Sequence, residues 1–174
     1  RNSTHRISQT DFQRKRLKKN WNLDSQVITN GHNVSASECV KDKQIKVIWV
    51  ANIKKVKRLE LFLKLAFLSR NLDCEFYCIG PFQYQKKSYE NRIRRIFAKL
   101  SNIKYFGYLS LEETNKILEK CHILVNTSTI EGFPNTFIQA WLRNVVVLSL
   151  NVDPNDTLAN KKIGIVSKTF TNLV

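Results

Sequence analysis

Lys46-Val47-Ile48-Trp49-Val50 is a near-continuous apolar run, the pattern of a strand buried on both faces. A basic loop follows, and then Leu59, Phe62, Leu63 and Ala66 take the i, i+3, i+4, i+7 spacing of one helix face. The alternation repeats downstream. Phe76-Tyr77-Cys78-Ile79 reads as a second strand ended by Gly80-Pro81. A basic helix comes next, with Tyr89, Ile93, Ile96, Phe97 and Leu100 on one side and arginines on the other. Ile103 to Phe106 is a third strand, closed by Gly107, and Ser110-Leu111-Glu112-Glu113 a capping box whose helix buries Leu111, Thr114 and Leu118. His122 to Val125, Val145 to Leu150 and Ile163 to Val166 supply three more strands, with a helix from near Pro134 to about Arg143. Trp49 and Trp141 read as core. Strands alternating with helices of about ten to fifteen residues require crossover connections. The chain is therefore expected to be α/β, a Rossmann-like doubly wound parallel sheet with helices on both faces.

Upstream, Thr10-Asp11-Phe12-Gln13 opens a helix with a capping-box pattern that runs to about Asn20. A short strand, Gln26-Val27-Ile28, and a turn, Asn30-Gly31-His32, follow, and residues 33–44 read as a polar linker. The expected division is residues 1–44 as a remnant helix, strand and hinge, and residues 45–174 as the α/β domain. With 174 residues the chain can bury about 70% of its unfolded surface. Arg1-Asn2-Ser3-Thr4 lacks an apolar h-region, no run of about 18 apolar residues occurs, and Met is absent. The chain reads as a cytoplasmic piece of a longer protein. Cys74 and Cys78 fall on one face of a strand about 13 Å apart, too far for a shared zinc or a disulfide. The four cysteines read as small buried hydrophobes in a reducing compartment, with no metal site.

The net charge of +15 is uneven. Residues 1–100 carry 22 Lys and Arg against 8 Asp and Glu, a balance of +14, while residues 101–174 carry 7 against 6. Such a field favours a polyanionic partner: nucleic acid, an anionic membrane or a phosphorylated substrate. A basic nucleic-acid-binding module is the alternative function. It is disfavoured because the aromatics lie on apolar helix faces and strands rather than among exposed Lys and Arg.

Ligands of doubly wound sheets bind at the carboxyl ends of strands, where the strand order reverses. No G-x-G-x-x-G or Walker sequence is present. The loop Ala51 to Arg58, with Asn52, Lys54, Lys55 and Lys57, fits either a phosphate site before a helix or a solvated basic loop. In Asn126 to Thr136, Glu131 can accept bonds from sugar hydroxyls, Gly132 permits close backbone approach, and amides from Phe133 to Thr136 are placed to hold an anion. A surface carboxylate near a helix start fits Glu131 too. Phe106-Gly107-Tyr108 offers a weaker signal, a backbone edge able to read a base.

These loops together resemble the C-terminal, donor-binding half of the group 1, or family 4, retaining glycosyltransferases with two Rossmann domains. Glu131-Gly132-Phe133-Pro134-Asn135-Thr136-Phe137-Ile138-Gln139 is similar to the family's E-x7-E block. Ile103 to Ser110 with Glu113, Val47 to Lys57, and Phe76 to Pro81 resemble three further family stretches, and residues 10–34 the end of the other half. The resemblance implies that Glu131 binds donor-sugar hydroxyls and that amides of Gly132, Phe133, Asn135 and Thr136, with Pro134 shaping the turn, hold sugar and diphosphate. It gives Lys57 the departing diphosphate, Gly80 the donor side of the cleft, and Phe106, Gly107 and Tyr108 the base. Two positions depart: Gln139 stands where the family has its second, ribose-binding glutamate, and Asn52 where it often has an arginine. An uncharged amide at Gln139 implies weaker ribose binding. The implied substrate is a UDP-sugar or GDP-sugar, with no cofactor and no obligatory metal, and the acceptor a glycan or lipid-linked molecule bound by the absent half. The fragment alone is expected to be inactive, and the basic surface adds peripheral contact with an anionic inner membrane face.

Overall fold

The computed structural model describes residues 5–32, 39–83 and 86–174. The strands β3 (Ile45–Val50), β4 (Cys74–Ile79), β5 (Ile103–Gly107), β6 (Ile123–Asn126), β7 (Val146–Ser149) and β8 (Gly164–Val166) form one sheet in the order β5-β4-β3-β6-β7-β8, parallel throughout. Two short strands precede them, β1 (Ile7–Ser8) and β2 (Gln26–Val27), paired in parallel around α1 (Asp11–Trp21). The other helices are α2 (Leu59–Leu68), α3 (Lys87–Lys99), α4 (Leu111–Leu118), α5 (Asn135–Trp141) and α6 (Thr157–Lys161).

The apolar run in β3 is explained by two cores, one per sheet face. Val47 and Trp49 pack with Leu59, Phe62, Phe76 and Ile93 beneath α2 and α3. Ile48, between them in sequence, faces the opposite way and packs with Tyr77, Leu118, Leu124, Phe137 and Leu158. The chain builds outward from β3 to β5, then returns to β6 on the other side of β3 and builds outward again. That reversal leaves a crevice between the loops after β3 and β6.

Several details differ from the sequence expectations. Leu111 is 62% exposed; only Thr114 and Leu118 of its helix are buried, because the first residue after the Ser110 cap lies over solvent. The capping box itself forms, with Glu113 N donating to Ser110 Oγ and Ser110 N to Glu113 Oε2. At α1, Thr10 Oγ1 accepts from Gln13 N, but Gln13 Oε1 reaches past the cap to accept from Gln9 N at 2.8 Å. Pro134 caps α5 with ψ 122° and so precedes the first helical turn. Asn30 to His32 forms no defined turn. Trp141 is half-buried because its Nε1 must reach Ile163 O, whereas Trp49 is fully enclosed. Cys78 and Cys121 are buried, Cys39 and Cys74 only partly, and none of the four forms a disulfide. Part of the expected linker, residues 33–38, lies outside the described residues, as do Arg1 to Thr4. Among the described residues no helix is long and apolar enough to cross a membrane.

Candidate active site

Leaving β3, the chain stays hydrogen-bonded to the chain leaving β4: Ala51 N donates to Ile79 O and Ile53 N to Pro81 O. A 3-10 turn, Lys55–Lys57, then presents Lys57, and Arg58 in the left-handed region (φ 51°) turns the chain into α2. Lys57 is anchored from behind. Its carbonyl accepts from Thr127 Oγ1 at 2.6 Å, and that oxygen accepts from Trp49 Nε1 at 3.0 Å. Thr129 N donates to Val56 O at 3.0 Å, so the loops after β3 and β6 are stitched together across the crevice.

Glu131 folds back toward the end of β6. Its Oε1 accepts from Asn126 Nδ2 at 2.8 Å and Ser128 Oγ at 2.6 Å, while Oε2 lies 2.7 Å from Lys57 Nζ. The Glu131 and Lys57 side chains are 15% and 21% exposed. The site therefore presents a carboxylate and an ammonium that neutralise each other at the mouth of a crevice. A ligand bringing an anion and neighbouring hydroxyls can engage both: the anion takes the ammonium, and the hydroxyls take the carboxylate oxygen it leaves.

Beside this pair lies a cleft of about 440 Å³ between Thr129 to Gly132, the start of α1, and residues 151–156. Asn155 and Asp156 both have positive φ (53°) there, and Asn155 Oδ1 accepts from Asp11 N. A Cβ at Gly132 would collide with the Gln9 and Gln13 carboxamides. Asn30 Nδ2 donates to Phe133 O at 2.9 Å and to Asn135 Oδ1 at 2.7 Å. Of the amides at the α5 start, Phe137 N donates to Pro134 O, and Phe133 N lies 3.5 Å from Gln9 Oε1.

The remaining residues singled out by sequence lie apart from the pair. Asn52 is exposed on the loop after β3. Gly80 (φ 140°) is pressed against the Ala51 backbone, donates from its N to Gly107 O and accepts from Tyr105 OH, which gives it a packing reason to be glycine. Phe106 packs edge-on against Tyr77 at 5.4 Å, Gly107 takes φ 70°, and Tyr108 is 75% exposed. These three sit at the edge strand β5, three strand spacings from β6, or about 14 Å. Gln139 is buried on α5 and does not line the cleft; its carbonyl accepts from Arg143 Nη1. Sequence reasoning missed Asn126, Thr127, Ser128, Gln9 and the bonding role of Asn30. A signal existed for the first three, since the polar Asn126-Thr127-Ser128 directly continues the apolar Ile123-Leu124-Val125, and the structure buries all three. Among the described residues, no group of three or more His, Cys, Asp or Glu converges as a metal site would require.

A parallel sheet whose strand order reverses at a crevice is the architecture of α/β proteins that bind ligands at that switch point. Residues 44–171 match the family model described as glycosyl transferases group 1, and the chain belongs to that family. No curated protein matches it. Among solved structures, a point mutant of S. aureus TarM, in complex with fondaparinux, alpha-GlcNAc-glycerol and UDP, superposes with a TM-score of 0.80 at 18% identity, over 96% of this chain and 34% of its own. Sucrose-phosphate synthase from Thermosynechococcus elongatus gives 0.78 at 16% identity, over 99% and 47%. Anabaena HepE in complex with UDP-glucose gives 0.73 at 13% identity, over 91% and 47%. At these identities the likeness is one of fold. The chain spans between about a third and a half of the length of these structures.

Proposed function

We propose that the chain is the donor-binding part of an enzyme that transfers a sugar from a nucleoside diphosphate sugar, UDP- or GDP-linked, to a glycan or lipid-linked acceptor with retention. The observation that carries this reading is the Lys57–Glu131 pair at the switch point, on loops stitched to each other. Lys57 Nζ exchanges Glu131 for the donor diphosphate, where its charge offsets the charge that grows as the diphosphate leaves. Glu131 keeps its bonds to Asn126 and Ser128 and turns the released oxygen to sugar hydroxyls. The amides around Gly132 to Thr136 take the sugar and diphosphate. The roughly 14 Å from β6 to β5 suits a base lying at Phe106 to Tyr108. Asn52 lies at the diphosphate edge, and no metal is obligatory. Acceptor binding belongs to other parts of a longer enzyme, so this chain alone transfers nothing.

The enzyme works at the cytoplasmic face of an anionic membrane, touching it through Arg92, Arg95 and Lys99. They line the outward groove of α3, while Ile93 of that helix faces the core. Sedimentation with liposomes tests this, and equal binding to zwitterionic and anionic vesicles counts against it. The donor reading is tested by calorimetric titration of folded protein with UDP, GDP, UDP-glucose and GDP-mannose. Binding that is lost in Lys57→Ala is expected. Binding of none of them rejects the reading.

A further inference from the structure

We infer that Asn30 and Gln9 are positioning residues, whose carboxamides clamp the 131–135 loop and set its shape for the sugar end of the donor. This rests on the donor-sugar reading above. Asn30 Nδ2 has two N–H groups, and both are used on the loop, one on Phe133 O and one on Asn135 Oδ1. Asn30 Oδ1 accepts from Gln9 Nε2 at 3.0 Å. Gln9 is itself held, because its backbone N donates to Gln13 Oε1 at 2.8 Å, and Gln13 sits on the first turn of α1. The result is a relay of carboxamides from α1 through Gln9 and Asn30 to Asn135.

The relay meets the loop where the loop is least constrained by itself. Gly132 and Phe133 separate Glu131, pinned by Lys57, from Pro134, whose ring fixes its φ, so the peptides of those two residues are the ones left to swing. Asn30 holds the Phe133 carbonyl, and the Gln9 and Gln13 carboxamides close against Gly132, so that a side chain there would have to push them aside. The Gly132 and Phe133 peptides are thus kept in one orientation beside the cleft before any ligand arrives. Preorganisation of this kind adds affinity for the part of a ligand that touches the loop and none for the part that does not.

Asn30→Ala in the full chain tests the clamp directly. Amide hydrogen exchange at Gly132, Phe133 and Asn135 is expected to rise about tenfold, with β3 and α2 amides unchanged. In calorimetry, whichever of UDP-glucose or GDP-mannose the chain binds should weaken about tenfold, while UMP or GMP, which end before the sugar, stay within about twofold. Asn30→Asp keeps the acceptor for Gln9 Nε2 but sets an oxygen against Phe133 O and Asn135 Oδ1, so it should behave like Asn30→Ala. Gln9→Ala should show the same split more weakly. Equal weakening of nucleotide and nucleotide sugar, or a loop whose exchange does not change, overturns the inference alone. A wild-type chain that binds none of the four rejects the donor reading and this inference with it.

Discussion

Lys57 and Glu131 are distant in sequence and 2.7 Å apart in the fold, and each is too enclosed to lose its partner without cost. Replacing Glu131 by Ala leaves the largely buried Lys57 ammonium, Asn126 Nδ2 and Ser128 Oγ without the carboxylate all three share. The expected loss of stability is about 1–2 kcal/mol, between an exposed pair (about 0–1) and a fully buried one (about 3–5), because water still reaches both groups. Lys57→Ala should cost a similar amount, and the double variant less than the two singles together, read from urea unfolding midpoints. Additive losses would mean the pair is not coupled. Two glycines offer a contrast in a single measurement. Gly80→Ala pushes a methyl into the Ala51 carbonyl at an unfavourable φ of 140° and should cost more than about 3 kcal/mol. Gly107→Ala meets nothing and carries only the strain of φ 70°, about 1 kcal/mol.

Besides its backbone ladder, strand β4 is tied to the edge strand β5 by an acid, Glu75. Glu75 Oε1 pairs with Lys104 at 2.9 Å, and Oε2 accepts from Tyr77 OH at 2.8 Å. The Lys104 bond first, and the Tyr77 bond second, hold the Glu75 carboxyl below the usual glutamate range. A folded value below the unfolded one means that the contribution is complete above the unfolded value of about 4.3 and is lost as pH falls through the folded value. Glu75→Gln should therefore destabilise the chain at neutral pH and lose its effect as pH falls below the unfolded value and through the folded one, measured by thermal unfolding across acid pH. A pH-independent difference would show that packing, not charge, links the strands. Elements of this kind were legible in the sequence to the degree that one residue determines them. The six sheet strands were visible as apolar runs because both faces of β3, β4 and β6 are covered. Strand β1 and helix α6 were not, since two and five residues carry no period. In the site, Glu131 and Lys57 were visible from their loops. Their contact was not, because it depends on Thr127 and Thr129 drawing two loops together across the sheet. The carboxamide relay was invisible for the same reason: Gln9, Asn30 and Asn135 carry no pattern until residues 5–30 are laid against α5.

Across the whole molecule, two surface properties oppose each other. The charge of +15 keeps copies apart, while the unit formed by β1, α1 and β2 exposes Ile7, Phe12, Trp21 and Ile28. A two-stranded parallel pair is a structure normally covered on both faces, and this one is covered on one. Phe12, Leu17 and Trp21 also line an apolar groove that runs to Ile130 and Glu131, so the uncovered face is continuous with the site. In this chain it should behave as an exposed apolar patch whose association is held back by like charge. Raising salt shortens the Debye length from about 10 Å at 0.1 M to about 3 Å at 1 M, which removes the repulsion and leaves the patch. Sedimentation velocity should then find monomer at low salt and concentration-dependent association at high salt, and Trp21→Arg with Ile7→Lys should abolish the association without moving the unfolding midpoint. If the variant associates as the wild type does, the contact lies elsewhere on the surface, and the face formed by residues 5–30 is not the associating one.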